Sequence, residues 1–517
     1  MSNHSILWAD DEIDLLKPHI LFLRSKGYEI STANNGRDAI DMARTCNFDL
    51  IILDENMPGL TGLETLSEIK QILPHTPVIM ITKSEEEDLM NQAVGNKIAD
   101  YLIKPVNPNQ IFMSLKKILH SEKLVNEQAS SDYRRAFAEI SSHIAQASTI
   151  NDWYELYGRL TFWEMQLTAT DSGMSEMLQM QKTEANTEFS KFIKRNYENW
   201  IGPDTPTEAA PLMSPLVMPR KVFPLLDAGE KVFFILIDNF RLDQWHTIRP
   251  VLADYFTFDE DIYCSILPTA TQYARNAIFS GLMPLKISKM FPDLWVDEDE
   301  AEGKNLNEAP LLDTLFSRYR RKCRFSYTKI NNSAAGERLI SEISNFENNQ
   351  LNVVVLNFID MLSHARTESR MIRELASTNA AYRSITESWF RHSSALDLFR
   401  KIAEKGYRIV LTTDHGTIRV DKPIKVVGDK NTNTNLRYKV GKNLNYNQRQ
   451  VYEVRRPEQF GLPSPNVSSA YIFATGHDFF AYPNNYNYYV QYYNETFQHG
   501  GISMEEMLVP VITMKAK

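Results

Sequence analysis

Asp238, Asp360 and Asp414 each follow an apolar run of strand length, at residues 232–237, 353–359 and 409–413. His364 stands four residues after Asp360, His415 directly follows Asp414, and His499 lies beside two glycines near the C-terminus. Between the first two acids, Pro268-Thr269-Ala270-Thr271 supplies hydroxyls. Buried parallel strands read as unbroken apolar runs, and open α/β sheets bind ligands beyond the strands' carboxyl ends. The pattern therefore aims three carboxylates, three imidazoles and a hydroxyl at one crevice. Zinc binds this mixture of His nitrogen and Asp oxygen, and manganese accepts it too. Two such ions about 3.5–4 Å apart can clamp the attacking and leaving oxygens of an in-line displacement at phosphorus. One of them on a threonine hydroxyl would make it a nucleophile at neutral pH. The ingredients suit phosphoryl transfer through a covalent phosphothreonine.

A second set of strand-end groups opens the chain. Asp10 and Asp11 follow the apolar run 6–9, Asp54 follows 50–53, Thr82 follows 78–81 and Lys104 follows 101–103. Carboxylates suit a hard Mg²⁺, which takes one or two of them and keeps several waters. An aspartate oxygen beside that ion can attack a phosphoryl group while metal and ammonium neutralise the developing charge. Thr82 and Lys104 then offer a hydroxyl and an ammonium to the new phosphoryl oxygens.

The elements that must position these groups follow from periodicity. Up to about residue 120, five apolar runs (6–9, 28–33, 50–53, 78–81, 101–103) alternate with helical spacing over 15–24, 36–44, 62–72 and 109–119. This predicts a doubly wound, flavodoxin-like parallel sheet. Residues 124–201 carry no strand signal and predict a bundle of three helices, 133–147, 153–167 and 175–200, with Asn151-Asp152 capping the second. Pro203, Pro206, Pro211, Pro215 and Pro219 predict a linker that holds neither helix nor central strand. From about 221 the α/β alternation resumes, broken by a polar, Asn-rich insertion (429–450) expected as loops or an irregular hairpin. The expected domains are 1–122, 123–202, a linker at 203–220, and 221–517 with an insertion near 425–455.

A chain of 517 residues has room for about three or four domains. Hydrophobic content of 43% and charge of 23% are those of a globular protein. A net charge of −9 argues against a surface devoted to duplex DNA. Cys46, Cys264 and Cys323 are too few and scattered for a disulfide framework or a thiolate zinc site. No charged-then-apolar leader opens the chain, and no apolar run approaches the ~20 residues that span a bilayer. A cytoplasmic location without membrane association is the expectation.

The N-terminal layout resembles the receiver domain of two-component response regulators. Asp10-Asp11, the string Asp54-Glu55-Asn56-Met57-Pro58-Gly59 with Gly62 downstream, Thr82 and Lys104-Pro105 carry the resemblance. It implies Asp54 as phosphoacceptor, with Mg²⁺ held by Asp10, Asp11, Asp54 and the backbone carbonyl of Asn56. Thr82, Tyr101 and Lys104 stand where that family keeps its switch residues, and Lys83 stands where a small residue is usual.

The C-terminal half resembles the alkaline phosphatase superfamily and, within it, the PglZ-type domain. Pro-Thr-x-Thr followed by Ser280-Gly281-Leu282-Met283-Pro284 is similar to the nucleophile segment of nucleotide pyrophosphatase/phosphodiesterases, which places the attacking hydroxyl at Thr271. The resemblance implies one metal on Asp360, His364 and His499, and another on Asp238, Thr271, Asp414 and His415, as two zinc or manganese ions. The order receiver, helical bundle, PglZ-type domain resembles the PorX family of response regulators, which regulate type IX secretion in Bacteroidota. A sensor histidine kinase, homodimerisation on phosphorylation through the face at about 85–119, and a phosphodiester or oligonucleotide substrate are the implied partners.

Several readings stay open at this stage. Monoesterases of the superfamily place a guanidinium on the spare phosphate oxygens, and Arg241 and Arg275 are the nearby candidates. Tyr482, Tyr486, Tyr488, Tyr489, Tyr492 and Tyr493 form either a packed aromatic cluster, the default, or a base-stacking surface. Lys425, Lys430, Arg437, Lys439, Lys442 and Arg449 either steer an anionic polymer or line a solvated loop. In a reading of another class, the output domain docks a sigma factor and catalysis is incidental.

Overall fold

A computed structural model describes residues 4–82, 98–167, 172–201, 210–297, 305–368, 370–429, 432–464, 466 and 468–517. Lys83, much of the expected dimer face, Pro203, Pro206 and Lys430 lie outside them. Two compact units result, Met1–Ser131 and Asp132–Lys517.

In the first unit, β1 (His4–Ala9), α1 (Lys17–Ser25), β2 (Tyr28–Ala33), α2 (Gly36–Thr45), β3 (Leu50–Asp54), α3 (Gly62–Ile72), β4 (Val78–Thr82) and β5 (Asp100–Ile103) build a parallel sheet of order β2-β1-β3-β4-β5. Strand side chains alternate between two cores. Leu7, Ala9, Ile51, Leu53, Val78 and Met80 pack with Ala39, Ile40, Leu66 and Ile69 of α2 and α3. Ile6, Trp8, Ile52, Ile79 and Ile81 pack with Ile20 and Leu23 of α1 and with Ile111 and Leu115. Each fully buried Ile or Leu contributes about 1.5–3 kcal/mol, so both faces must be covered, as in doubly wound folds. The order reverses between β1 and β3, the place where such sheets bind ligands.

Ile111 and Leu115 belong to α4 (Pro108–Gln146), one continuous helix. The expected helices 109–119 and 133–147 are its two ends. No Pro or Gly interrupts residues 109–146, so the polar stretch between the ends carries no break signal.

In the second unit, residues from Asp132 onward pack with α5 (Ile150–Leu167) and α6 (Ser172–Ile201). Tyr133 donates to Gln181 Oε1 at 2.8 Å, and Gln181 Nε2 donates to Phe137 O at 2.9 Å. The cap of α5 is Thr149 rather than Asn151. Asp152 Oδ2 accepts from the amides of Ser148 (2.9 Å) and Thr149 (2.8 Å), and Thr149 Oγ1 accepts from Asp152 N (3.3 Å), a reciprocal capping box.

The proline-rich stretch also differs from expectation. Ser214–Leu216 and Met218–Val222 form short helical turns, with Ser214, Val217 and Met218 buried. Cys264 N donates to Leu212 O at 2.9 Å. Proline is tolerated in a first helical turn, where its missing N–H has no partner to lose. From Leu212 this segment is therefore wall, not linker.

β6 (Val232–Ile237), α7 (Leu242–Leu252), β7 (Phe256–Cys264), α8 (Thr271–Ser280), β8 (Phe325–Ile330), β9 (Leu351–Leu356), α9 (Phe358–Glu368), α10 (Asn379–His392), β10 (Arg408–Thr412), the short α11 (Met504–Met507) and β11 (Leu508–Ala516) follow. The sheet order is β7-β11-β10-β6-β9-β8, with β10, β6, β9 and β8 parallel and β11 antiparallel to both neighbours. The insertion is more regular than expected: Tyr438–Gly441 and Tyr452–Val454 flank Ala470–Phe473 in a small antiparallel sheet. No helix among the described residues is long and apolar enough to cross a membrane.

Candidate metal centres

In the first unit, Asp10 follows β1, Asp54 ends β3, Thr82 ends β4 and Lys104 follows β5, so the parallel register gathers all four at one rim. One oxygen each of Asp10, Asp11 and Asp54 lies within 4.8 Å of the others. Lys104 Nζ sits 3.0 Å from both Asp10 Oδ2 and Asp54 Oδ1. Burial, then the Asp10 and Asp11 charges, push the Asp54 carboxyl up against the opposing pull of Lys104. Asp10, Asp54 and Thr82 are buried, Asp11 and Asn56 exposed and Tyr101 half-buried. Gly62 is forced by proximity: a Cβ there would lie 2.5 Å from Asp54 O. An oxygen-only cluster with one solvent-facing member fits Mg²⁺.

In the second unit, Asp238 follows β6, and Asp414 and His415 follow its parallel neighbour β10. Their ligand atoms lie within 4.8 Å of one another, and all three residues are buried. Thr271 opens α8, its Oγ1 3.2 Å from His415 Nε2 and 3.5 Å from Asp238 Oδ1. Thr269 is engaged elsewhere: its hydroxyl donates to Gly501 O at 2.9 Å and accepts from Gly500 N at 3.0 Å. Burial, with Asp414 and Asp360 nearby, drives the Asp238 carboxyl well above the usual range despite Arg275. Burial also opposes the Asp414 charge, but Arg275, His415 and backbone amides outweigh it and hold this carboxyl at about 2.

Asp360, His364 and His499 form the third cluster of this kind among the described residues. Asp360 does not end a strand as expected: β9 stops at Leu356, and Asp360 sits in the first turn of α9 with His364 one turn on, His364 Nε2 3.5 Å from Asp360 Oδ2 and its side chain 64% exposed. His499 Nε2 lies 3.8 Å from Asp360 Oδ1. Burial, then the neighbouring His415 and His364 rings, keep the His499 imidazole well below its ordinary range.

The donor chemistry of both clusters fits divalent cations. His415 Nδ1 is 3.1 Å from Gly416 O and His499 Nδ1 is 3.1 Å from Thr269 O. A carbonyl only accepts, so each Nδ1 carries the proton and each Nε2 lone pair faces the carboxylates.

Other residues hold these groups without a sequence signal of their own. Asn239, in the left-handed region at φ 62°, donates Nδ2 to Asp360 Oδ1 (3.3 Å) and its amide to Asp414 Oδ1 (3.4 Å), tying both clusters together. Arg275 is 1% exposed and pairs with Asp238, with Asp414 (Nε to Oδ2, 2.9 Å) and with Glu308 (3.8 Å). Arg241 pairs with Asp243 at 2.7 Å. Both candidate guanidiniums are thus committed to buried carboxylates. Arg437 of the insertion is buried against Glu506, and Lys439 Nζ donates to Asn433 O and lies 4.6 Å from the Tyr482 ring centroid. Those two cations do not face an anionic polymer. The tyrosine tract is divided: Tyr486 and Tyr493 pack on the core, whereas Tyr488 is 62% exposed.

Three family models match successive parts of the chain. The model for the response regulator receiver domain matches residues 6–116, that for the PorX response regulator linker domain matches 123–201, and that for the BREX system PglZ alkaline phosphatase-like domain matches 217–514. The transcriptional regulatory protein ZraR of Klebsiella oxytoca is 31% identical over 147 residues, 28% of this chain and 33% of ZraR. The alkaline phosphatase synthesis transcriptional regulatory protein PhoP of Bacillus subtilis is 31% identical over 170 residues, 32% of this chain and 68% of PhoP. The chain thus spans about a third of the length of ZraR. The chemotaxis protein CheY4 of Vibrio cholerae is a similar solved structure, 29% identical, covering 23% of this chain and 99% of its own, with a TM-score of 0.22. With more than half its length matched by the PglZ model, behind a receiver and a PorX linker domain, the chain belongs to the PglZ alkaline phosphatase-like family in the response-regulator arrangement of PorX.

Proposed function

We propose that the chain is a response regulator whose output is a two-metal phosphodiesterase, with Asp54 as phosphoacceptor from a sensor histidine kinase and Thr271 as nucleophile. The observation that carries the reading is the approach of Thr271 Oγ1 to His415 Nε2 and Asp238 Oδ1, at 3.2 and 3.5 Å. Asp238, Asp414 and His415 would hold one zinc or manganese ion and Asp360, His364 and His499 another. Bound there, the cations would supply Lewis acidity to the attacking and leaving oxygens and lower the pKa of Thr271. The Thr271 hydroxyl releases its proton to solvent and its oxygen bonds to phosphorus as the ester oxygen departs with its electron pair and takes up a proton from water. Water then cleaves the threonine ester and restores the hydroxyl. First-turn amides of α8, ahead of the Tyr273 N to Ala270 O bond, orient the phosphoryl oxygens.

Commitment of Arg241 and Arg275 to carboxylates supports diesters over monoesters, because a diester has one fewer anionic oxygen to neutralise. Nucleotide-like diesters are the favoured class. Phosphorylation of Asp54 promotes a cytoplasmic homodimer, and by its PorX arrangement the chain regulates type IX secretion. The test is metal content together with turnover of bis(p-nitrophenyl) phosphate. The expected result is two metals and turnover in wild type, with turnover lost in Thr271→Val. Two metals with equal rates for both proteins would remove Thr271 from its role.

A further inference from the structure

Helix α6 buries polar side chains on the face where a bundle helix ordinarily places Leu or Ile. Lys182, Asn186 and Ser190, four residues apart, are all buried. Lys182 Nζ lies 2.6 Å from Glu164 Oε2 of α5 and 3.3 Å from Glu505 Oε1 of α11. Asn186 Nδ2 donates to Glu505 Oε2 at 2.9 Å, and its Oδ1 accepts from the amide of Met504 at 2.8 Å. Two residues of α6 therefore fasten one short turn by its backbone and by its carboxylate.

That turn touches the loops of two imidazoles. Gly416, next to His415, donates its amide to Glu506 O at 3.1 Å, and a Cβ on Gly416 would lie only 2.0 Å from Glu505 O. The His415 loop thus rests directly on the backbone of α11. Glu506 in turn accepts from Gly501 N at 2.9 Å and Ser503 Oγ at 2.6 Å, which fixes the loop carrying His499. The same charge cluster reaches the Asp238 loop. Glu164 also takes Asn379 Nδ2 at 2.7 Å and Arg383 at 3.6 Å, and Arg383 pairs with Asp243 at 3.1 Å, at the start of α7. Buried charges of this kind tolerate no missing member, since the partner left behind is uncompensated.

We infer that α6 is a positioning element of the phosphoesterase site: Lys182 and Asn186 hold α11 and, through it, the spacing of His415 and His499. The segment matched as a linker is then part of the frame of the candidate metal centre. The inference rests on the proposed reading of the two clusters as a catalytic pair.

The test uses full-length, zinc-loaded protein and bis(p-nitrophenyl) phosphate. Asn186→Ala and Lys182→Met are expected to lower kcat by about tenfold or more with KM within about twofold, the scale on which partners of ligating groups act. Both should lose zinc at lower chelator concentration than wild type. Lys182→Arg should recover most of the rate, and Glu184→Ala, at an exposed position of α6, should match wild type. Wild type without diester turnover would defeat the underlying phosphodiesterase reading. Active wild type with unchanged kcat in Asn186→Ala and Lys182→Met overturns the inference alone, as does a rate loss that merely tracks lost folded protein in near-UV circular dichroism. Should Lys182→Met fail to fold, Asn186→Ala decides.

Discussion

His415 and His499 stack face to face, their ring centroids 4.2 Å apart and their planes 16° from parallel. One imidazole comes from each candidate metal cluster, so the stack is where the two clusters meet. Their Nδ1 atoms point to different backbone carbonyls, Gly416 O and Thr269 O. Separate anchors let the rings lie side by side without competing for one acceptor, and leave both Nε2 atoms for cations.

The two threonines of the Pro-Thr-x-Thr segment should separate cleanly on substitution. Thr271→Val should abolish diester turnover while leaving the melting temperature near wild type. Thr269→Val should retain the nucleophile but cost about 1–3 kcal/mol, because the Gly500 amide loses its acceptor in a buried place. Turnover assays and urea unfolding of both variants check this, and the reverse assignment would contradict it.

Arg275 pairs with two carboxylates of a candidate metal cluster. Replacing it by Met leaves Asp238, Asp414 and Glu308 facing one another without it, and should destabilise metal-free protein by about 3–5 kcal/mol. Excess zinc should restore part of the loss, since a divalent cation compensates the same charges. Thermal melts with and without zinc read both effects.

Acid should weaken the cluster beside α6 in a defined window. Burial alone would raise the Asp243 carboxyl, but Arg241 and then Arg383 overcome it and hold it at about 2. Its folded pKa is below its unfolded value of about 3.9, so its contribution is present above that value and lost as pH falls toward about 2. Asp243→Asn should flatten the dependence of the urea midpoint between about pH 4 and pH 2 while lowering stability at pH 7. An unchanged slope would sink this assignment.

Asp54→Ala should stay monomeric in sedimentation velocity with acetyl phosphate or beryllofluoride present, whereas wild type dimerises. Dimerisation of the variant to the same extent would take the phosphoacceptor role away from Asp54.

Asp238 and Asp414 were legible because a buried strand reads as an uninterrupted apolar run, and the carboxylate just beyond it is conspicuous; Asp360 was misplaced, since β9 stops at Leu356 and the rest of that apolar run already belongs to α9. Asp238, Asp414 and His415 come together through the pairing of β6 with β10, as that pattern requires. The supporting groups were not legible. Arg275 reads as a candidate for phosphate oxygens rather than as the partner of Asp238 and Asp414, and Arg437 and Lys439 read as a polymer-steering or solvated basic loop until Glu506 and Asn433 are found beside them. Lys182 and Asn186 carry no sequence signal, since Glu164 lies on the preceding helix and Glu505 and Met504 some 320 residues onward. Sequence spacing reports only local neighbours, and these contacts are long-range.

The central claim is best tested by counting metal per chain with plasma mass spectrometry after zinc loading and desalting. Two zinc ions in wild type and one in His364→Ala are the predicted result. One ion or none in wild type, or a count that His364→Ala does not change, would contradict it.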